Sequence, residues 1–110
     1  MNAIRVNQSG GPEVLRLQEL PDPAPGPGEV LLRVKAIGVN PVDTYQRAGS
    51  QGRAPKLPFT PGSDAAGVVE RVGEGVAAFR EGDRVYTDHR GREAYAEMML
   101  CREEQLHRLP

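Results

Sequence analysis

Glu29-Val30-Leu31-Leu32-Arg33-Val34-Lys35-Ala36-Ile37 is the stretch that decides the fold. Side chains along an extended strand alternate between two faces. Val30, Leu32, Val34 and Ala36 therefore share one face, and Leu31, Arg33, Lys35 and Ile37 share the other. The second face mixes apolar and charged groups, so it is only partly exposed. The stretch predicts a strand over 29–37.

The flanks punctuate it. Upstream, Pro21-Asp22-Pro23-Ala24-Pro25-Gly26-Pro27-Gly28 lacks the backbone donors that a central strand needs and reads as an extended loop. Before that loop, Ala3 to Asn7 and Val14 to Leu20 alternate across a Ser9-Gly10-Gly11-Pro12 turn, which predicts an antiparallel pair. Downstream, Asn40-Pro41 is a helix start, with Asn at the N-cap and Pro at the first helical position. The predicted helix runs from Val42 to Arg47, and Gly49 ends it with φ > 0. Gly52 to Pro61 is a loop with Pro55, Pro58 and Pro61. Further strands are predicted at Ala65 to Val72, Arg84 to Thr87 and Ala94 to Leu100. Gly73-Glu74-Gly75 and Glu81-Gly82-Asp83 are turns, Phe79 is an apolar anchor between them, and His89 to Glu93 is a polar loop. A helical turn is expected at Glu103 to Leu106. Many short strands and one or two short helices predict a mainly β fold, a small β-barrel over residues 1–110.

Composition agrees. Thirteen Gly and ten Pro in 110 residues favour short strands joined by tight turns. With no Trp, the core is expected to be Val, Leu, Ile and Ala. Net charge is −1 with both signs interspersed, so no basic stripe marks a nucleic-acid surface. Arg90 and Arg92 read as part of a solvated loop. No run of ~18 apolar residues predicts a membrane span, and the N-terminus lacks a signal-peptide pattern. The single cysteine, Cys101, excludes an internal disulfide. A reducing, cytoplasmic setting is expected.

Three local patterns promise less than they first offer. Gly73-Glu74-Gly75-Val76-Ala77-Ala78 fits a loose dinucleotide-loop pattern, but Gly82-Asp83 leaves no room for the helix that would aim at a pyrophosphate, so a turn is the better reading. Cys101, His89 and His107 are too scattered to make a ligand set, and nothing places a base beside the thiol. Helix capping and the helix dipole offer a purely structural reading of Asn40 and Asp43.

The order of landmarks carries more. Gly10-Gly11-Pro12-Glu13-Val14-Leu15 is followed by Gly28-Glu29-Val30-Leu31-Leu32-Arg33-Val34 and Gly38-Val39-Asn40-Pro41-Val42-Asp43-Thr44-Tyr45. Then come Pro61-Gly62-Ser63-Asp64-Ala65-Ala66-Gly67-Val68-Val69, Val72-Gly73, Gly82-Asp83-Arg84-Val85 and Ala94-Tyr95-Ala96-Glu97. This series resembles the amino-terminal GroES-like domain of NADPH-dependent quinone oxidoreductases of the zeta-crystallin type, the zinc-free branch of the medium-chain dehydrogenases and reductases. The resemblance covers nearly the whole chain.

It implies an NADPH-dependent reductase of quinones or other α,β-unsaturated carbonyls, with this chain as the substrate-side domain. Asn40 and Tyr45 match positions that line the cleft for nicotinamide and substrate, so both are candidate catalytic and cofactor-binding residues. The chemistry suits them, because hydride transfer needs close placement of two carbons and a donor near the oxygen that gains charge. Zinc-dependent relatives have Cys at the Asn40 position and a His-Glu pair at Ser63-Asp64, so no metal is expected here. A backbone hydrogen bond is the expected role of Asp64. Gln51 stands where the family has a second cleft tyrosine. The nucleotide-binding Rossmann domain is expected to be missing beyond Leu109-Pro110. The 110 residues alone are then expected to be inactive and to use that domain as partner, with homodimer formation through an exposed face. The alternative is a standalone barrel used for binding or assembly, without catalysis.

Overall fold

The structure is a computed structural model that describes residues 1–52 and 55–110. Arg53 and Ala54, in the predicted loop over 52–61, lie outside the described residues, as does the side chain of Gln51. Seven strands and one α-helix are described. β1 (Asn2–Val6) and β2 (Leu15–Glu19) form an antiparallel ribbon. β3 (Glu29–Ile37), β4 (Ala65–Val72), β5 (Arg84–Thr87), β6 (Met98–Arg102) and β7 (Leu106–Arg108) form a second sheet in the order β6-β3-β4-β5-β7. α1 (Pro41–Ala48) follows β3.

The connection from β6 to β7 dictates the shape. These two strands are the edges of the sheet, yet only the 3-10 turn Glu103–Gln105 separates them in sequence. In a flat sheet, four strand spacings would place the edges about 19 Å apart. The four residue steps from Arg102 to Leu106 reach no more than about 14 Å. The sheet must therefore curl, and the expected β-barrel architecture follows as a curled half-barrel.

Two bulges help it bend. Leu31 pairs with Arg71 and Leu32 with Val69, which leaves Glu70 as an extra residue on β4. Val34 pairs with Gly67 and Ala36 with Ala66, which leaves Lys35 extra on β3. Each insertion adds local twist. The predicted alternation of β3 accordingly fades towards its end. Val30, Leu31 and Leu32 are buried, whereas Ala36, past the bulge, is exposed.

The concave side holds the main core: Val30, Leu32, Val69, Val85, Met99 and Cys101 meet with Leu106, and Phe79 packs against them as the expected anchor. A smaller cluster of Val6, Val14 and Phe59 lies under the β1–β2 ribbon. Paired hydrogen bonds between Val6 and Phe59 join ribbon and loop.

Two predictions need correction. The strand expected at Ala94–Leu100 starts at Met98, because Ala94–Glu97 serves other partners: Tyr95 N–H donates to Pro61 O, and Ile4 N–H donates to Tyr95 O. The turn expected through Leu106 ends at Gln105, and Leu106 opens β7 against β5.

Cys101 is 2% exposed, and burial pushes its thiol up to about 12. A disulfide reagent is expected to label it only after denaturation. Equal labelling rates with and without denaturant would contradict this packing.

Candidate functional site

α1 begins where the sequence places it. Asn40 occupies the N-cap with extended backbone (φ −119°, ψ 151°), Pro41 is the first helical residue, and Gly49 closes the helix at φ 73°. The helix is tied to the Gly10 turn by Gly10 N–H to Arg47 O (3.0 Å) and Arg47 Nε to Gly10 O (3.1 Å).

The cap itself is less ordinary than the sequence suggests. Asn40 N–H donates to Asp43 Oδ2 at 3.0 Å in a capping box, but the Asn40 amide nitrogen is not spent on its own helix. Its Nδ2 instead donates to Asp64 Oδ1 at 2.8 Å, across to the residue just before β4. The backbone hydrogen bond expected of the Asp64 side chain is replaced by this side-chain pair. Gly38 makes the approach possible: its N–H donates to Asp64 O, and a Cβ there would lie 2.5 Å from Asp64 Oδ1.

Asp43 is 4% exposed and also accepts from Tyr95 Oη at 2.9 Å. Burial, then the bond to Asp43, raises the Tyr95 hydroxyl to about 12, so it stays a donor at neutral pH. Asp43 Oδ1 is buried without a hydrogen-bond partner among the described residues. Tyr95 is the site residue that sequence reasoning missed. It lies 52 positions from Asp43, and its place in the Ala94–Glu97 landmark gives no sign of that contact.

Asn40 and Asp64 line a hollow of about 570 Å³ with Val42, Gln46, Arg90 and Arg92. Next to it, Pro58, Phe59 and Thr60 line a second hollow of about 350 Å³, which shares Gln46, Ser63 and Arg92 with the first. The rim is basic. Arg90 donates to Asp88, whose carboxyl it holds below the usual range. The pair therefore offers a polar recess beside a more apolar wall.

Tyr45 shares the exposed side of α1 with Pro41, Thr44 and Ala48, at positions i, i+3, i+4 and i+7, and is not among the residues lining either hollow. It is 46% exposed.

An amide that donates to its neighbouring carboxylate is not a metal donor set, and no group of three His, Cys, Asp or Glu gathers among the described residues. Gly73–Gly75 is a turn, with Gly28 N–H donating to Glu74 O, and no helix follows it. His107 stacks on Tyr86, away from Asn40's hollow.

Residues 26–110 match the alcohol dehydrogenase GroES-like domain. The chain belongs to that family. The GroES-like assignment meets the expectation drawn from the ordered landmarks. A quinone oxidoreductase from Lama guanicoe is 51% identical over 111 residues, spanning 100% of this chain and 34% of that protein. The solved structure of a mycobacterial protein complexed with NADPH shares 43% identity at a TM-score of 0.93, over 100% of this chain and 34% of that one. Escherichia coli quinone oxidoreductase complexed with NADPH shares 36% identity at a TM-score of 0.94, over 100% and 33%. This GroES-like chain thus spans about a third of the length of the curated relatives it matches. No helix among the described residues is long and apolar enough to cross a membrane.

Proposed function

We propose that this chain is the substrate-side domain of a cytoplasmic, homodimeric, NADPH-dependent reductase of quinones or α,β-unsaturated carbonyls, acting with a nucleotide-binding domain and without metal. The observation that carries this reading is identity of about half along the whole chain with a quinone oxidoreductase. The hollow supports it, because a hydrogen-bonding amide beside a Pro58–Phe59 wall suits a flat ring with a polar substituent. NADPH, when bound, supplies the hydride.

The chain's own part is placement and exclusion of water. Asn40, anchored by its backbone to Asp43 and by its side chain to Asp64, is a rigid hydrogen-bonding group at the edge of the recess. Rigid placement is what hydride transfer rewards, since misplacement by 1 Å costs on the order of a hundredfold in rate. Tyr45, on the outer side of α1, is assigned to the face that meets the nucleotide-binding domain and its cofactor. Ile37, Val39 and Tyr45 are all exposed large side chains in this part of the chain.

The test joins the chain to its nucleotide-binding domain and follows NADPH oxidation by 1,4-benzoquinone. Asn40→Ala is expected to lower kcat/KM by roughly a hundredfold, and Tyr45→Phe by less. Unchanged rates in both variants would remove the proposed roles. The 110 residues alone are expected to bind NADPH negligibly in a calorimetric titration.

A further inference from the structure

We infer that Asp64 is a positioning residue that sets which way the Asn40 amide faces, so that Asn40 offers its carbonyl oxygen Oδ1 to the ligand. The inference rests on the functional reading above and sharpens it. A carboxylate only accepts, so the atom of Asn40 that meets Asp64 Oδ1 at 2.8 Å must be Nδ2. The amide is planar, and directing its nitrogen to Asp64 directs its oxygen away. Asp64 leaves Asn40 Oδ1 unspent, and the residue lines the hollow.

Three features hold this arrangement. Gly38 leaves room for the Asp64 carboxylate, since a Cβ would stand 2.5 Å from Oδ1 and 2.8 Å from Oδ2. Asp43 fixes the Asn40 backbone, and Tyr95 donates to the same Asp43 oxygen, Oδ2. The start of β4 is pinned by Ala65 N–H to the buried Thr87 Oγ1 at 3.0 Å, which limits movement of Asp64.

The consequence is chemical. Arg90 and Arg92 line the hollow as donors, whereas Asn40 Oδ1 is an acceptor. Asn40 therefore recognises a donor on the bound molecule, an amide N–H or a hydroxyl, rather than an oxygen that gains negative charge. The group that steadies the developing oxyanion must come from elsewhere in the site.

Two measurements test this. In a ¹H–¹⁵N spectrum of the 110-residue chain, the Asn40 side-chain amide is expected to give two well-separated resonances that collapse towards free-amide positions in Asp64→Ala and are largely kept in Asp64→Asn. An Asn40 amide that ignores both substitutions overturns the inference, whatever the enzyme does. In the protein joined to its nucleotide-binding domain, Asp64→Ala is expected to lower kcat about tenfold with little change in thermal midpoint, and Asp64→Asn less. Asn40→Asp alone sets two carboxylates face to face and is expected to be inactive. Asn40→Asp combined with Asp64→Asn restores the hydrogen bond in reverse and keeps an acceptor at position 40, so activity is expected to return in part. A folded double variant as inactive as Asn40→Asp overturns the acceptor role. No quinone reduction by the unsubstituted protein would instead refute the functional reading, and the spectrum would decide the orientation by itself.

Discussion

Gly67→Ala is expected to destabilise the chain by about 3 kcal/mol or more, a large share of the roughly 5–15 kcal/mol available to a domain of this size. Gly67 lies on β4 opposite Val34, at the bulge where Lys35 is left over. A Cβ there would lie 2.2 Å from Arg33 O, 3.0 Å from Arg33 C and 3.2 Å from Val34 Cα. All three atoms are backbone, so no side chain can swing aside, and β3 and β4 would have to part. Both are interior strands of the sheet. Gly26→Ala is the matched control, because its added methyl meets the carboxylate of Glu29, a flexible end, at 3.1 Å. Denaturant midpoints are expected to fall sharply for Gly67→Ala and little for Gly26→Ala. Equal midpoints would contradict the close approach.

Asp43→Ala is expected to cost about 2 kcal/mol or more. The substitution leaves Asn40 N–H and Tyr95 Oη without their acceptor in a buried place. The unpartnered Oδ1 of Asp43 is a standing cost in the native protein, and its removal offsets part of the loss. Tyr95→Phe, which removes one of the two donors, is expected to cost less. The pair also has an alkaline signature. The Tyr95 hydroxyl is raised from 10.0 to about 12 in the fold, so its stabilising contribution is full below pH 10 and is lost as pH climbs from 10 to 12. Stability of the unsubstituted chain is therefore expected to fall more steeply across that window than that of Tyr95→Phe. Parallel curves would show that the Tyr95–Asp43 bond does not contribute.

Much of the fold was legible because it is local. β3, β4 and β5 follow from alternating apolar residues between turns, and α1 follows from Asn40-Pro41 at one end and Gly49 at the other. β7 was not legible, since Leu106–Arg108 holds one apolar residue and is a strand only because β5 presents a free edge to it. Ala94–Glu97 misled for the converse reason: it alternates like a strand, yet β1 and the Pro61 turn claim its backbone.

The candidate site divides along the same line. The ordered landmarks identified the family, marked Asn40 and Tyr45, and set Asn40 at a helix start, because each of these depends on neighbours in the chain. Only the tertiary structure decided what the Asn40 side chain touches, that Asp43 is buried and bonded to Tyr95, and that Tyr45 is not among the residues lining the hollow. Asp64 is 24 positions from Asn40 and Tyr95 is 52 from Asp43. The first contact follows from the pairing of β3 with β4, which sets Ile37 opposite Ala65, and the second from the backbone bonds that hold Tyr95 to Ile4 and Pro61; no local pattern encodes either.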